Sequence, residues 1–232
     1  MIWGIDPLYW MIMIPVFLLS LFATFKVKST FAKYSRVPTN SGITGAEAAA
    51  QILRRNGLTD VSVVETSGFL SDHYDPRTRE VRLSPEVFRG STLAAVGVAA
   101  HETGHAVQHA NSYAPLVLRN AMVPVANIGS SLSWIIIILG FIIGALGLVK
   151  IGIILFSAVV LFQVITLPVE FNATYRAKAM LASYGLVSHN ELQGVSRVLS
   201  AAAMTYVAAA ASAVATLLYF LIRAGILGGR DE

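Results

Sequence analysis

The tightest constraint on this chain is one apolar run. Residues 132–169 carry no charged or strongly polar side chain except Lys150 and Gln163. As a helix rising about 1.5 Å per residue, this run would measure about 57 Å, roughly two hydrocarbon thicknesses. It must therefore fold back on itself. Lys150 sits between Gly147 and Gly152, which predicts a tight hairpin there.

Two further runs are long enough to span. Residues 8–25 are uncharged and are bounded by Asp6 and by Lys26, Lys28, Lys33 and Arg36. They read as an uncleaved signal anchor, because no basic segment precedes them and no small-x-small cleavage site follows. Residues 201–222 are apolar up to Arg223. Only 13% of the residues are charged and 55% are hydrophobic, which leaves too little charge to coat a water-facing surface. This excludes a purely water-soluble globule and a disordered chain. The absence of cysteine excludes thiolate metal sites, disulfides and a thiol nucleophile. The net charge of +4 is mild, and no basic stripe with interleaved aromatics marks a nucleic-acid partner. It suits an anionic bilayer surface instead.

Fourteen of the seventeen Lys and Arg residues fall within 26–130 and 168–200. By the positive-inside rule both segments face the cytoplasm and both termini lie outside. Trp3, Trp10 and Trp134 fit an interfacial belt. The reading is a mainly α, polytopic protein of the bacterial inner or plasma membrane, with about four transmembrane helices and a small cytoplasmic α/β domain. Residues 1–25 form the first span. Residues 26–130 form the cytoplasmic domain and 131–169 a transmembrane hairpin. Residues 170–200 are a second cytoplasmic helical segment, 201–223 the last span and 224–232 a tail.

Within the polar segments, Thr44 and Glu47 make a capping box for a helix that Gly57 ends. Residues 61–65 and 80–83 read as strands, with 71–78 a turn-rich link between them. Ser84-Pro85 opens a short helix, and Ser91 or Thr92 caps another running to about Ala110. A second capping box, Ser188 with Glu191, opens the helix that enters the last span. The strand around Val81 is a candidate edge for pairing with an extended substrate.

The helix ending near Ala110 contains His101-Glu102-Thr103-Gly104-His105. Residues four apart share a helix face, about 6 Å apart along the axis, so His101 and His105 can bind one cation. Glu102 lies about 100° round, where it can take a proton from a bound water and later give it to a leaving amine. One zinc ion per chain suits two neutral imidazoles and a carboxylate, with a fourth position open. Glu170 is the leading third ligand. It is the only acidic residue between Glu102 and Glu191, and it sits where the third span meets the cytoplasm. His73 and His189 stay open as alternatives, whereas His109 is about 12 Å along the helix from His101.

Four stretches carry a resemblance: Ser71-Asp72-His73-Tyr74-Asp75-Pro76, Val81-Arg82-Leu83-Ser84-Pro85, residues 99–109 around the motif, and Leu167-Pro168-Val169-Glu170-Phe171-Asn172-Ala173. Over nearly its whole length the chain resembles the bacterial membrane family of neutral zinc metallopeptidases (YugP-like). More loosely, it is similar to the HtpX and CAAX-prenyl-protease class. That resemblance implies a zincin-like domain and a gluzincin-type endopeptidase acting on polypeptides, membrane proteins included. Glu170 and Ala173 match the E-x-x-A-D motif of that class, but Thr174 stands where those proteins have Asp. The support for the ligand histidines must then come from elsewhere, with Asp72, Asp75 and Asn172 as candidates. His73, Tyr175, Arg176 and Tyr206 are candidate transition-state stabilisers. Two other readings fit the motif: a catalytically silent metal-binding scaffold, and a site-2-type intramembrane protease.

Overall fold

The structure, a computed structural model, describes residues 6–68 and 71–227. Trp3, Arg230 and the end of the tail lie outside the described residues. Four helices are long and apolar enough to cross a membrane: α1 (Pro7–Tyr34), α5 (Ala114–Ile142), α6 (Leu146–Ser183) and α7 (His189–Arg223). Each outlasts the apolar run that predicted it, so the polar helical segments and the spans are continuous helices. Phe17, Phe22 and Phe25 of α1 are exposed at 59%, 53% and 71%. Large apolar side chains left this exposed match a lipid solvent better than water.

The hairpin between α5 and α6 turns at residues 143–145, not at Lys150 as expected. Gly144 takes the left-handed φ of +69° that the turn needs, and Lys150 lies inside the first turns of α6. One of the glycines that flank the expected turn does other work. A Cβ on Gly152 would stand 2.5 Å from the Ile137 side chain, so this glycine lets α5 and α6 approach.

The chain divides into two compact units. Among the described residues, the first comprises 6–22, 118–167 and 206–227. Its core holds Ile137, Val149, Phe156, Tyr219 and Phe220. Trp134 packs edge-on against Phe156 and Phe220, with centroids 6.1 and 5.3 Å away. Asp6 caps α1 by accepting from the Leu8 N–H at 3.0 Å, and it also accepts from the Tyr219 hydroxyl at 3.0 Å.

The second unit comprises residues 23–117 and 168–205 and holds the polar elements. They are α2 (Gly45–Arg55), β1 (Ser62–Glu65), β2 (His73–Asp75), β3 (Glu80–Leu83), α3 (Pro85–Arg89) and α4 (Leu93–Ala110). The Thr44–Glu47 capping box closes in both directions, at 3.2 and 2.9 Å. The sheet order is β1-β3-β2, with β1 parallel and β2 antiparallel to β3. This corrects two expectations. The segment read as turn alone contains β2, and β3, expected to offer an edge, is the central strand with both sides paired. Val81 and Leu83 point from β3 into the core beside Ala94, Ala99 and Ala106 of α4. Val96, Ala100 and Val107 of α4 enter a second cluster with Ile52, Leu181 and Leu199. The apolar start of α4 is thus buried by protein, and α4 is not among the four helices apolar enough to span.

Candidate metal centre

Helix α4 starts where Thr92 Oγ1 accepts from the Ala95 N–H at 3.3 Å. Most of its surface is buried, and His101, Glu102 and His105 occupy a half-buried face. Gly104 lies against α6. A Cβ there would stand 2.8 Å from the Ala173 carbonyl oxygen, so the two backbones touch. That contact sets the last turns of α4 opposite Glu170, which is 3% exposed.

The ligand atoms of His101, His105 and Glu170 all lie within 4.8 Å of one another. Glu170 Oε2 is 3.2 Å from His101 Nε2 and 3.6 Å from His105 Nε2. Two donors at zinc's usual distances and the tetrahedral angle stand about 3.3 Å apart. Both measured separations are close to that value, and the donor set of two imidazoles and one carboxylate is a zinc set. The residues fit the ion.

The remaining imidazole nitrogens are engaged. Gln108 is fully buried and its Nε2 donates to the Val169 carbonyl at 2.8 Å and to Asn172 Oδ1 at 3.0 Å. A main-chain carbonyl only accepts, so the Gln108 amide nitrogen must face it and Oε1 must face His105. That oxygen in turn accepts from His105 Nδ1–H at 3.0 Å, leaving the Nε2 lone pair directed toward Glu170. Thr174 Oγ1 lies 3.3 Å from His101 Nδ1. Arg176 Nε donates to Asn172 Oδ1 at 2.8 Å, extending the network by one link. Burial alone would lower the pKa of His105, but the neighbouring Glu170 and Glu102 carboxylates outweigh it and raise the value.

Sequence reading missed Gln108 and Thr174. A weak signal was there: Gln108 stands three residues after His105, and Thr174 four after Glu170, both on the ligand face of their helix.

Other candidates fall into place differently. Glu102 is half-buried and makes no hydrogen bond or ion pair among the described residues, yet its charge reaches Asp72 and His105. Asp72 accepts from the Ser84 N–H at 2.7 Å and from the Ser84 hydroxyl at 3.0 Å, tying the start of β2 to the end of β3. Burial pushes the Asp72 carboxyl up, the Ser84 donors oppose this, and the Glu102 charge adds to the rise. His73 is exposed, with Nδ1 2.7 Å from the Ser71 carbonyl, and it does not join the cluster. His109 Nδ1 is 2.9 Å from the Tyr74 hydroxyl, and His189 is exposed at the start of α7. Asp75 faces Arg77 and Arg82. Asn172 takes the supporting place through Gln108. Arg176 is committed to Asn172 and stacks over Tyr113 at 6.0 Å. Tyr175 is 69% exposed and lines a groove with Lys178 and His189. Tyr206 belongs to the first unit.

Known proteins resemble the chain over nearly its whole length. The pattern of the family described as "Putative neutral zinc metallopeptidase" matches residues 9–225. The chain is similar to the "Putative membrane protease YugP" of Bacillus subtilis (strain 168), with 53% identity over 214 residues, covering 92% of this chain and 94% of that protein. No solved structure matches.

Proposed function

The chain belongs to the family described as "Putative neutral zinc metallopeptidase", and from that premise we propose that it is a membrane-embedded zinc endopeptidase of the gluzincin type. His101, His105 and Glu170 hold the ion, one per chain. The convergence of two imidazole Nε2 atoms on one Glu170 oxygen, at 3.2 and 3.6 Å, is the observation that carries this reading. Zinc, when bound, supplies Lewis acidity that polarises the peptide carbonyl and makes water a stronger acid.

Glu102 is the general base. It takes one proton from the attacking water as the new C–O bond forms, then delivers that proton to the amide nitrogen as the C–N bond breaks. Its carboxylate is free of partners among the described residues, as a proton carrier needs to be. The substrate is a polypeptide, membrane proteins included. The outer strand β2 is better placed than β3 to pair with an extended chain, since β3 is paired on both sides. The cluster faces the cytoplasm of a bacterial cell from its inner or plasma membrane, as the Lys and Arg distribution supports.

The test is elemental analysis beside a peptidase assay on the detergent-purified full chain. The wild type carries one zinc per chain. Glu170→Ala and His101→Ala lose it. Glu102→Gln keeps it but is slower by about 10²–10⁴-fold. A well-folded wild type without zinc overturns the proposal, and so does normal turnover by Glu102→Gln.

A further inference from the structure

A second site lies within the same unit but away from the zinc ligands. Helices α1 and α7 flank a groove of about 400 Å³. Lys26 and Lys33 line it from α1, and Arg197 lines it from α7. Ser29 and Thr30 of α1 and Ser200 of α7 add hydroxyls between these cations. No carboxylate lines the groove, and among the described residues none of the three cations makes an ion pair. The lining residues on each helix recur at three- and four-residue steps, so each helix offers one continuous face. All three cations are exposed and solvated, but their convergence on one groove without a carboxylate gives it a positive potential that favours an anion.

The groove's place along the chain identifies the anion. The uncharged run of α1 ends at Phe25 and Lys26 opens the groove, while on α7 the apolar run begins at Ala201, directly after Ser200. Both helices therefore pass from hydrocarbon-compatible to polar sequence at this groove, the level of lipid headgroups. Ala201 and Met204 give the groove an apolar end beside its cations. A soluble anion has no use for that apolar end, whereas a phospholipid does.

We propose that this groove binds the phosphodiester headgroup of an anionic phospholipid, Lys26, Lys33 and Arg197 supplying the charge and Thr30 and Ser200 the hydrogen bonds. Basic pockets between helices at the cytoplasmic face are suited to such headgroups. The inference rests on the membrane reading and is independent of the peptidase reading.

The test titrates phosphatidylglycerol or phosphatidylcholine into the delipidated full chain in detergent and counts bound lipid by native mass spectrometry. Lys26→Gln/Lys33→Gln/Arg197→Gln is set beside a control of equal charge, Lys28→Gln/Arg36→Gln/Arg54→Gln. The wild type is expected to retain phosphatidylglycerol over phosphatidylcholine. Each lost groove cation is expected to weaken that retention about fivefold, so that the triple variant loses about 100-fold while the control holds within a few-fold. Equal losses in both triple variants overturn the site in favour of diffuse surface attraction. Displacement of the lipid by millimolar inorganic phosphate overturns the lipid assignment in favour of a soluble anion. If the groove triple fails to fold, Arg197→Gln alone carries the fivefold expectation. Zinc content is expected to be unchanged in every groove variant, which separates this result from the fate of the peptidase proposal.

Discussion

Gln108 selects the nitrogen that His105 turns toward Glu170. It does so because the Val169 carbonyl can accept but not donate, which fixes the amide and then the imidazole. Gln108→Leu retains bulk but removes that chain of donors. Zinc affinity is expected to fall about 10–100-fold, with His101 and Glu170 still able to bind, as measured by competition with a chromophoric chelator. Unchanged affinity would mean that packing alone holds the ring. The pairing of His101 with His105 was legible because four-residue spacing on a helix is a local rule. Glu170 was legible because a carboxylate at the end of a span is rare. Gln108 and Thr174 were not, since their partners depend on how α6 is turned against α4, which no local pattern encodes.

At the level of elements, the contact at Gly104 sets the distance between the two ligand-bearing helices. Gly104→Ala pushes a Cβ to within 2.8 Å of the Ala173 carbonyl oxygen. Backbone cannot yield as a side-chain tip does. The variant is expected to lose about 1–3 kcal/mol and to hold zinc poorly despite having all three ligands, as thermal unfolding and metal content would show.

The β2–β3 hairpin carries its own pH dependence. Asp75 accepts from the Arg77 N–H at 2.9 Å, and this bond, with the Arg77 and Arg82 guanidinium groups, holds its carboxyl below the ordinary range. The stabilisation is complete above the usual aspartate value, about 4, and is lost as pH falls through the lowered folded value. Amide exchange across residues 73–83 should therefore be slower in the wild type than in Asp75→Asn at pH 6, and the two should converge as pH falls through the lowered Asp75 value.

Caps and stops were legible throughout. The Thr44–Glu47 and Ser188–Glu191 boxes form, and Gly57 takes positive φ. What escaped was non-local. β2 is three residues long and exists through its pairing with β3. The α5–α6 turn falls at one of several glycines in an apolar stretch, of which Gly140 and Gly152 serve helix packing instead.

For the molecule as a whole, the membrane is the organising solvent. The chain has too few charges for water, and its four long helices expose apolar side chains outward. The Lys and Arg bias predicts that tags at both termini are labelled by an impermeant reagent on intact cells, while a cysteine introduced at exposed Arg77 is protected until the cells are opened. The reverse pattern would invert the topology.

His101 and Glu170 are 69 residues apart in the chain, with the whole of α5 and much of α6 between them. A ribosome adding about 5–20 residues per second needs several seconds to cover that interval. A nascent chain that has displayed its paired histidines therefore has no carboxylate to complete the set until the hairpin has been made. An enzyme that cuts polypeptides would be born unable to cut, and would acquire its reactivity only after reaching the membrane.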